Sequence, residues 1–117
     1  MIGHVFNLEV KTSLGPWSNG QHPGVVVGVP RGANVEGLVV VPMSSAKPRG
    51  GEGSWCVTLH EVRGSLQPVL YVYCHLPMTV PRRRLQNTQH RGVLSKGELA
   101  VIRTRLGRLF GIPPTSG

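Results

Sequence analysis

Between Val5 and Val10 the chain alternates Val5, Asn7 and Glu9 with Phe6, Leu8 and Val10. That is the period of a strand with one buried face. Two continuous β-branched runs follow, Val25-Val26-Val27-Gly28-Val29 and Leu38-Val39-Val40-Val41, stopped by Pro30 and Pro42. Runs of this kind suit central strands buried on both faces, and these two are expected to pair with each other. Trp55 to Leu59 and Val69 to Cys74 read as two more strands from their β-branched and aromatic content, which makes five. Residues 11 to 24 hold Gly, Pro, Ser and Asn at a density that predicts a surface loop, and a second glycine-rich stretch runs from Ser44 to Ser54. Loops of this length in a small domain point to function or disorder.

The C-terminal third changes period. Ser95-Lys96-Gly97-Glu98 has the capping-box pattern, in which serine oxygen and glutamate carboxylate each satisfy an amide left open at a helix start. Leu99, Ile102, Leu106, Leu109 and Phe110 then recur at three- and four-residue steps as one apolar stripe, with Arg103, Arg105 and Arg108 largely off it. Gly111 and the Pro113-Pro114 pair are expected to end the helix. The pattern is mainly β: a small curled antiparallel sheet or SH3-like barrel, with the C-terminal amphipathic α-helix covering one opening. A single domain over 1–112 is expected, with 113–117 as a frayed tail. No internal repeat is present.

With 117 residues there is enough chain for one core and too little for two. Thirteen Lys+Arg stand against five acids, all Glu, for a formal charge of +8. This favours a phosphate-rich partner over an acidic active site. Cys56 and Cys74 do not make a secreted disulfide framework or a zinc-binding pair; they are expected as reduced, half-buried strand residues of a cytoplasmic protein. The N-terminal residues lack the basic start and apolar run of a signal peptide, and no apolar stretch approaches the roughly 20 residues that span a bilayer. A soluble protein without membrane contact is expected.

Several short motifs then fall in a telling order. Gln21-His22-Pro23-Gly24 leads into Val25-Val26-Val27, and Val39-Val40-Val41-Pro42-Met43-Ser44-Ser45 follows after a short hairpin. Next comes Val72-Tyr73-Cys74-His75-Leu76-Pro77-Met78-Thr79-Val80, then Arg84-Leu85, Gly92-Val93-Leu94-Ser95 and the helix, while Gly3-His4-Val5-Phe6 opens the chain. Across nearly its whole length this resembles the PemK/MazF family of toxin endoribonucleases. In that family a basic residue and a proline open the second strand, a Pro-x-Thr/Ser element closes the third, and a cysteine lies between an arginine and an aspartate. Here His22 stands at the place of the usual phosphate-binding arginine, Ser44 at that of a common threonine, and Tyr73 and His75 at those of the arginine and aspartate. Serine preserves the hydroxyl donor; histidine matches arginine only when protonated, and then without its five-donor fork.

The resemblance implies cleavage of single-stranded RNA without metal or other cofactor, the ribose 2′-hydroxyl attacking its own phosphate. Such a reaction needs a base, an acid and donors for the charge that builds on the phosphorus oxygens. Histidine side chains suit both proton roles near neutral pH, so His22 and His75 are the candidate acid and base, with Ser44 holding the phosphate. Arg31, Ser45, Lys47, Arg49 and Tyr73 are candidates for the RNA path. Arg82-Arg83-Arg84 forms the densest basic cluster, a phosphate-binding surface whose affinity falls as salt rises, and Trp17 in the first loop is placed to stack on an unpaired base. Each has a plainer use: Ser44 and Ser45 as a turn, His75 as a strand end, Tyr73 and Trp17 as packing, and the arginines as a solvated loop. His4, His60 and His90 are read as structural or solvent-facing. The resemblance also implies a homodimer and a disordered acidic antitoxin that covers the same groove. A catalytically silent relative that binds nucleic acid or protein, as the related CcdB toxins bind gyrase, is the alternative.

Overall fold

The alternation over Val5–Val10 and the two β-branched runs become three adjacent strands, β1 (His4–Val10), β2 (Gly20–Gly28) and β3 (Gly37–Ser44). The computed structural model describes residues 1–10, 20–30, 37–48, 53–60, 69–86 and 90–111. Within them follow β4 (Cys56–His60), β5 (Val69–Tyr73), β6 (Met78–Pro81), α1 (Arg82–Gln86), β7 (His90–Val93) and α2 (Lys96–Leu109). All pairings are antiparallel, in the order β4-β5-β3-β2-β1-β7, with β6 also on β3. The result is a curled antiparallel half-barrel with one C-terminal helix, the expected fold class.

Alternation sorts the side chains of these strands into two apolar layers. Val5, Val25, Val27, Val41 and Met43 pack with Val57, Leu59, Leu70, Val72 and Ile102 of α2. Phe6, Leu8, Val26, Leu38 and Val40 turn the other way and pack with Val80 and with Leu85 of α1. Val25 and Val26 are both fully buried although they face opposite sides, the double burial their continuous apolar run predicted. In α2 the Ser95 hydroxyl accepts from the Glu98 amide at 3.1 Å, while the Glu98 carboxylate accepts from the Ser95 amide at 2.8 Å. Gly111, at φ +67°, follows the last turn in the left-handed conformation that glycine adopts without strain. Of the expected stripe, Leu99, Ile102, Leu106 and Leu109 meet the core, whereas Phe110 is exposed.

Seven strands and two helices stand among the described residues where five and one were expected. β6, α1 and β7 have only four, five and four residues, too few to display a period; β6 exists because β3 lends it an edge. The larger correction concerns Gly20 to Gly24, expected in a loop and found in β2, paired with β1 from Val10↔Gly20 to Val5↔Val25. Gly24 is there for space: a Cβ would collide with Leu8 Cδ1 and lie 2.8 Å from Val40 Cγ1. Cys56 and Cys74 form no disulfide, as expected, but both are buried and not half-buried. Residues 112–117, the expected tail, lie outside the described residues.

Gly24→Ala overpacks the face between β1 and β3 and is expected to cost about 1–3 kcal/mol, read as a lower urea midpoint at unchanged m-value. Ser95→Ala removes the helix cap and is expected to cost about 0.5–2 kcal/mol in the same measurement.

Candidate functional site

The β2–β3 ladder ends at Gly24↔Pro42. Two residues further out on each strand are His22 and Ser44, so alternation places both at one end of the ladder and on the face opposite α2. On its far edge Ser44 is paired with Tyr71 of β5. His22 is half-buried and belongs to a strand, where a loop position was expected.

His75 reaches this region through a mismatch of chain lengths. Val72 lies opposite Met43 and Met78 opposite Val40, so six steps of chain run beside three steps of β3. The surplus bulges out between β5 and β6 as a turn closed by the Leu76 amide donating to the Tyr73 carbonyl at 3.1 Å, and His75 is exposed on it.

At the base of the turn Tyr73 is buried and hydrogen-bonded to the Ser44 side chain. Burial raises the Tyr73 pKa above its ordinary value, with the Ser44 contact pulling the other way and nearby Cys56 adding to the rise. Tyr73 therefore stays a neutral phenol at physiological pH. Ser44 Oγ also accepts from the Ala46 amide at 3.1 Å, the turn-forming use of a serine after a proline. The hydroxyl is thus oriented from both sides. Trp55 completes the group, stacked on Tyr73 with centroids 5.2 Å apart and 4.2 Å from the His75 ring. Although His75 is exposed, partial desolvation lowers its pKa below the usual 6.5, so its imidazole is mainly neutral at pH 7, with a lone pair that can take a proton.

The sequence marks Trp55 only as a strand residue; it lies just before β4, and what holds it comes from elsewhere in the chain. Arg105 of α2 sends its Nη1 to the carbonyls of Ser54 and Cys56 at 2.6 and 2.8 Å, the two residues flanking Trp55. An arginine expected off the apolar stripe is therefore turned inward to a backbone anchor. No local pattern signals this, because partner and anchor are about fifty residues apart.

The remaining candidates divide. Ser45 and Lys47 are exposed directly beyond Ser44. Arg82 and Arg83 are exposed on α1, which begins after Pro81, the partner of Gly37 at the other end of β3. The backbone there lies roughly 20 Å along the strand from Ser44. Trp17, Arg31 and Arg49 lie outside the described residues, as does the Arg84 side chain. Elsewhere, His4 Nδ1 is 3.0 Å from His90 Nε2, while His60 is exposed. Burial pushes the Cys74 thiol up to about 12, which keeps it protonated and unreactive. Among the described residues no three metal-ligating side chains converge, and no helix is long and apolar enough to cross a membrane.

A family model described as PemK-like, MazF-like toxin of type II toxin-antitoxin system matches residues 2–110. Among solved structures, an endoribonuclease in complex with its cognate antitoxin from a mycobacterial species superposes with a TM-score of 0.69 at 17% identity, covering 98% of both chains. MazF from Deinococcus radiodurans does so at 0.68 and 20% identity over 94% of both. A MazE-MazF structure from the same organism gives 0.66 at 21% over 95% of both. At these identities the likeness is one of fold. No curated protein sequence matches the chain.

The His75 imidazole is expected to titrate below 6.5 in an NMR pH series, and Trp55→Ala, which opens the ring to water, is expected to move it back up. Since the unfolded chain takes up these protons first, stability is expected to fall as the pH drops from 6.5 towards the folded-state value. Denaturant titrations across that window check the sign.

Proposed function

Because the chain belongs to the family of PemK-like, MazF-like toxins of type II toxin-antitoxin systems, we propose that it is an endoribonuclease that cleaves single-stranded RNA by 2′-hydroxyl attack. One observation carries the reading: His22, Ser44 and the Tyr73–Trp55–His75 group stand at one end of β3, on the face that α2 leaves open. Neutral His75 accepts the 2′-hydroxyl proton as that oxygen bonds to phosphorus. The P–O5′ bond breaks, and His22 delivers a proton to the departing oxygen. The products are a 2′,3′-cyclic phosphate and a 5′-hydroxyl. Half-buried Ser44, oriented by its bond to the buried Tyr73 phenol, offers a neutral donor to a phosphorus oxygen, and exposed Lys47 beyond it supplies positive charge.

No step calls for a metal ion. An acidic antitoxin is the proposed partner, supported by the antitoxin complexes of fold relatives and by the charge of +8. A homodimer in the cytoplasm belongs to the same reading. The catalytically silent alternative draws support from one feature: where the family carries an arginine, Tyr73 is buried and neutral.

His22→Ala is expected to lower single-turnover cleavage by about 10²- to 10⁴-fold with an unchanged unfolding midpoint. Purified protein incubated with RNA in excess chelator is expected to leave cyclic phosphate ends. Intact RNA under those conditions, or full activity in His22→Ala, would overturn the mechanism.

A further inference from the structure

The Trp55 indole is held on several sides yet has surface to spare. The Tyr73 ring stacks on it at 22°, and His75 tilts against it at 49°. Were the indole sandwiched between them, Tyr73 and His75 would be separated by nearly the sum of their two distances from it. They are 6.2 Å apart, so the rings bunch to one side. Gly53 lies under the indole edge, where a Cβ would come within 2.5 Å of Nε1, and Arg105 pins the backbone on both sides of the residue. Even so, Trp55 is only partly buried. A rigid aromatic plane, partly exposed and stacked on the residue that hydrogen-bonds Ser44, has the form of a base-stacking surface.

We propose that Trp55 is a nucleobase-binding residue: the exposed part of its ring stacks on an unpaired base beside the phosphate held at Ser44, and the Arg105 clamp presets the plane. The inference rests on the nuclease reading for the identity of that phosphate, but stacking itself needs no cleavage. An aromatic plane selects for a π-faced ligand, which distinguishes a nucleobase from an acidic peptide attracted by charge alone. Because every base has such a face, Trp55 contributes affinity and registers the strand, leaving base identity to neighbouring groups.

The test uses 2′-O-methyl RNA hexamers of mixed sequence, which bind without being cut, titrated against Trp17→Phe protein so that emission reports Trp55. Quenching of that emission is expected. With affinity read from the fluorescence anisotropy of end-labelled hexamers, in the same background Trp55→Phe is expected to keep the affinity, and Trp55→Leu, which retains bulk but has no π face, to weaken it about 5- to 100-fold. Cleavage assays with unmodified RNA run in parallel. If Trp55→Leu binds the hexamers as tightly as its parent while RNA is still cut, the stacking role is overturned and the nuclease reading stands. Quenching with loss on Trp55→Leu but no cleavage supports the base platform and removes the nuclease. Failure of the hexamers to bind overturns both. Poly-glutamate is expected to bind Trp55→Leu and its parent equally; a loss equal to that seen with RNA would overturn nucleobase selectivity.

Discussion

Strand β3 hydrogen-bonds to three other strands, and the rest of the molecule is arranged around that obligation. Its one edge takes β2, and its other edge takes β6 along the first half and β5 at the end. A continuous partner on that edge would have left a plain sheet with no place for a turn. The chain between β5 and β6 is instead too long for the stretch of β3 it must cover, and a ladder takes up one extra residue as a bulge more readily than three. They are expelled as the turn that carries His75. Alternation does the complementary sorting, since residues that fill the core under α2 leave their neighbours to line the outer face.

The chemistry of that outer face is set by neutral groups more than by fixed charge. Tyr73 and Ser44 orient each other, and burial keeps the phenol protonated and the nearby imidazole deprotonated. An arginine in Tyr73's place would bring a permanent charge to a position that is only 2% exposed, at a desolvation cost. In this chain formal charge lies further out, at exposed Lys47 and on α1. The expected basic cluster at Arg82 and Arg83 is real as a surface, but it leaves the sheet at the end of β3 remote from Ser44.

Much of the architecture was legible because it is local. The β1 alternation, the doubly buried valine runs and the Ser95–Glu98 reciprocal bonds each depend on residues within a few positions of one another. What escaped depends on distant partners. Gly24 reads as a turn residue until Leu8 and Val40 are seen to close over it. β6 is too short to recognise without the β3 edge. His22 and Ser44 were picked out through family resemblance, and their shared face follows from strand register. Trp55 carried no motif at all, and its surroundings are assembled from β5, the turn after it and α2.

The two bonds from Arg105 cross from the helix on one side of the sheet to the segment that presents an aromatic ring on the other. A single nitrogen, Arg105 Nη1, donates to two carbonyls two residues apart. The helix is thus more than a cover for the apolar interior. It is also a mooring for the opposite surface, holding the backbone on both sides of the aromatic ring.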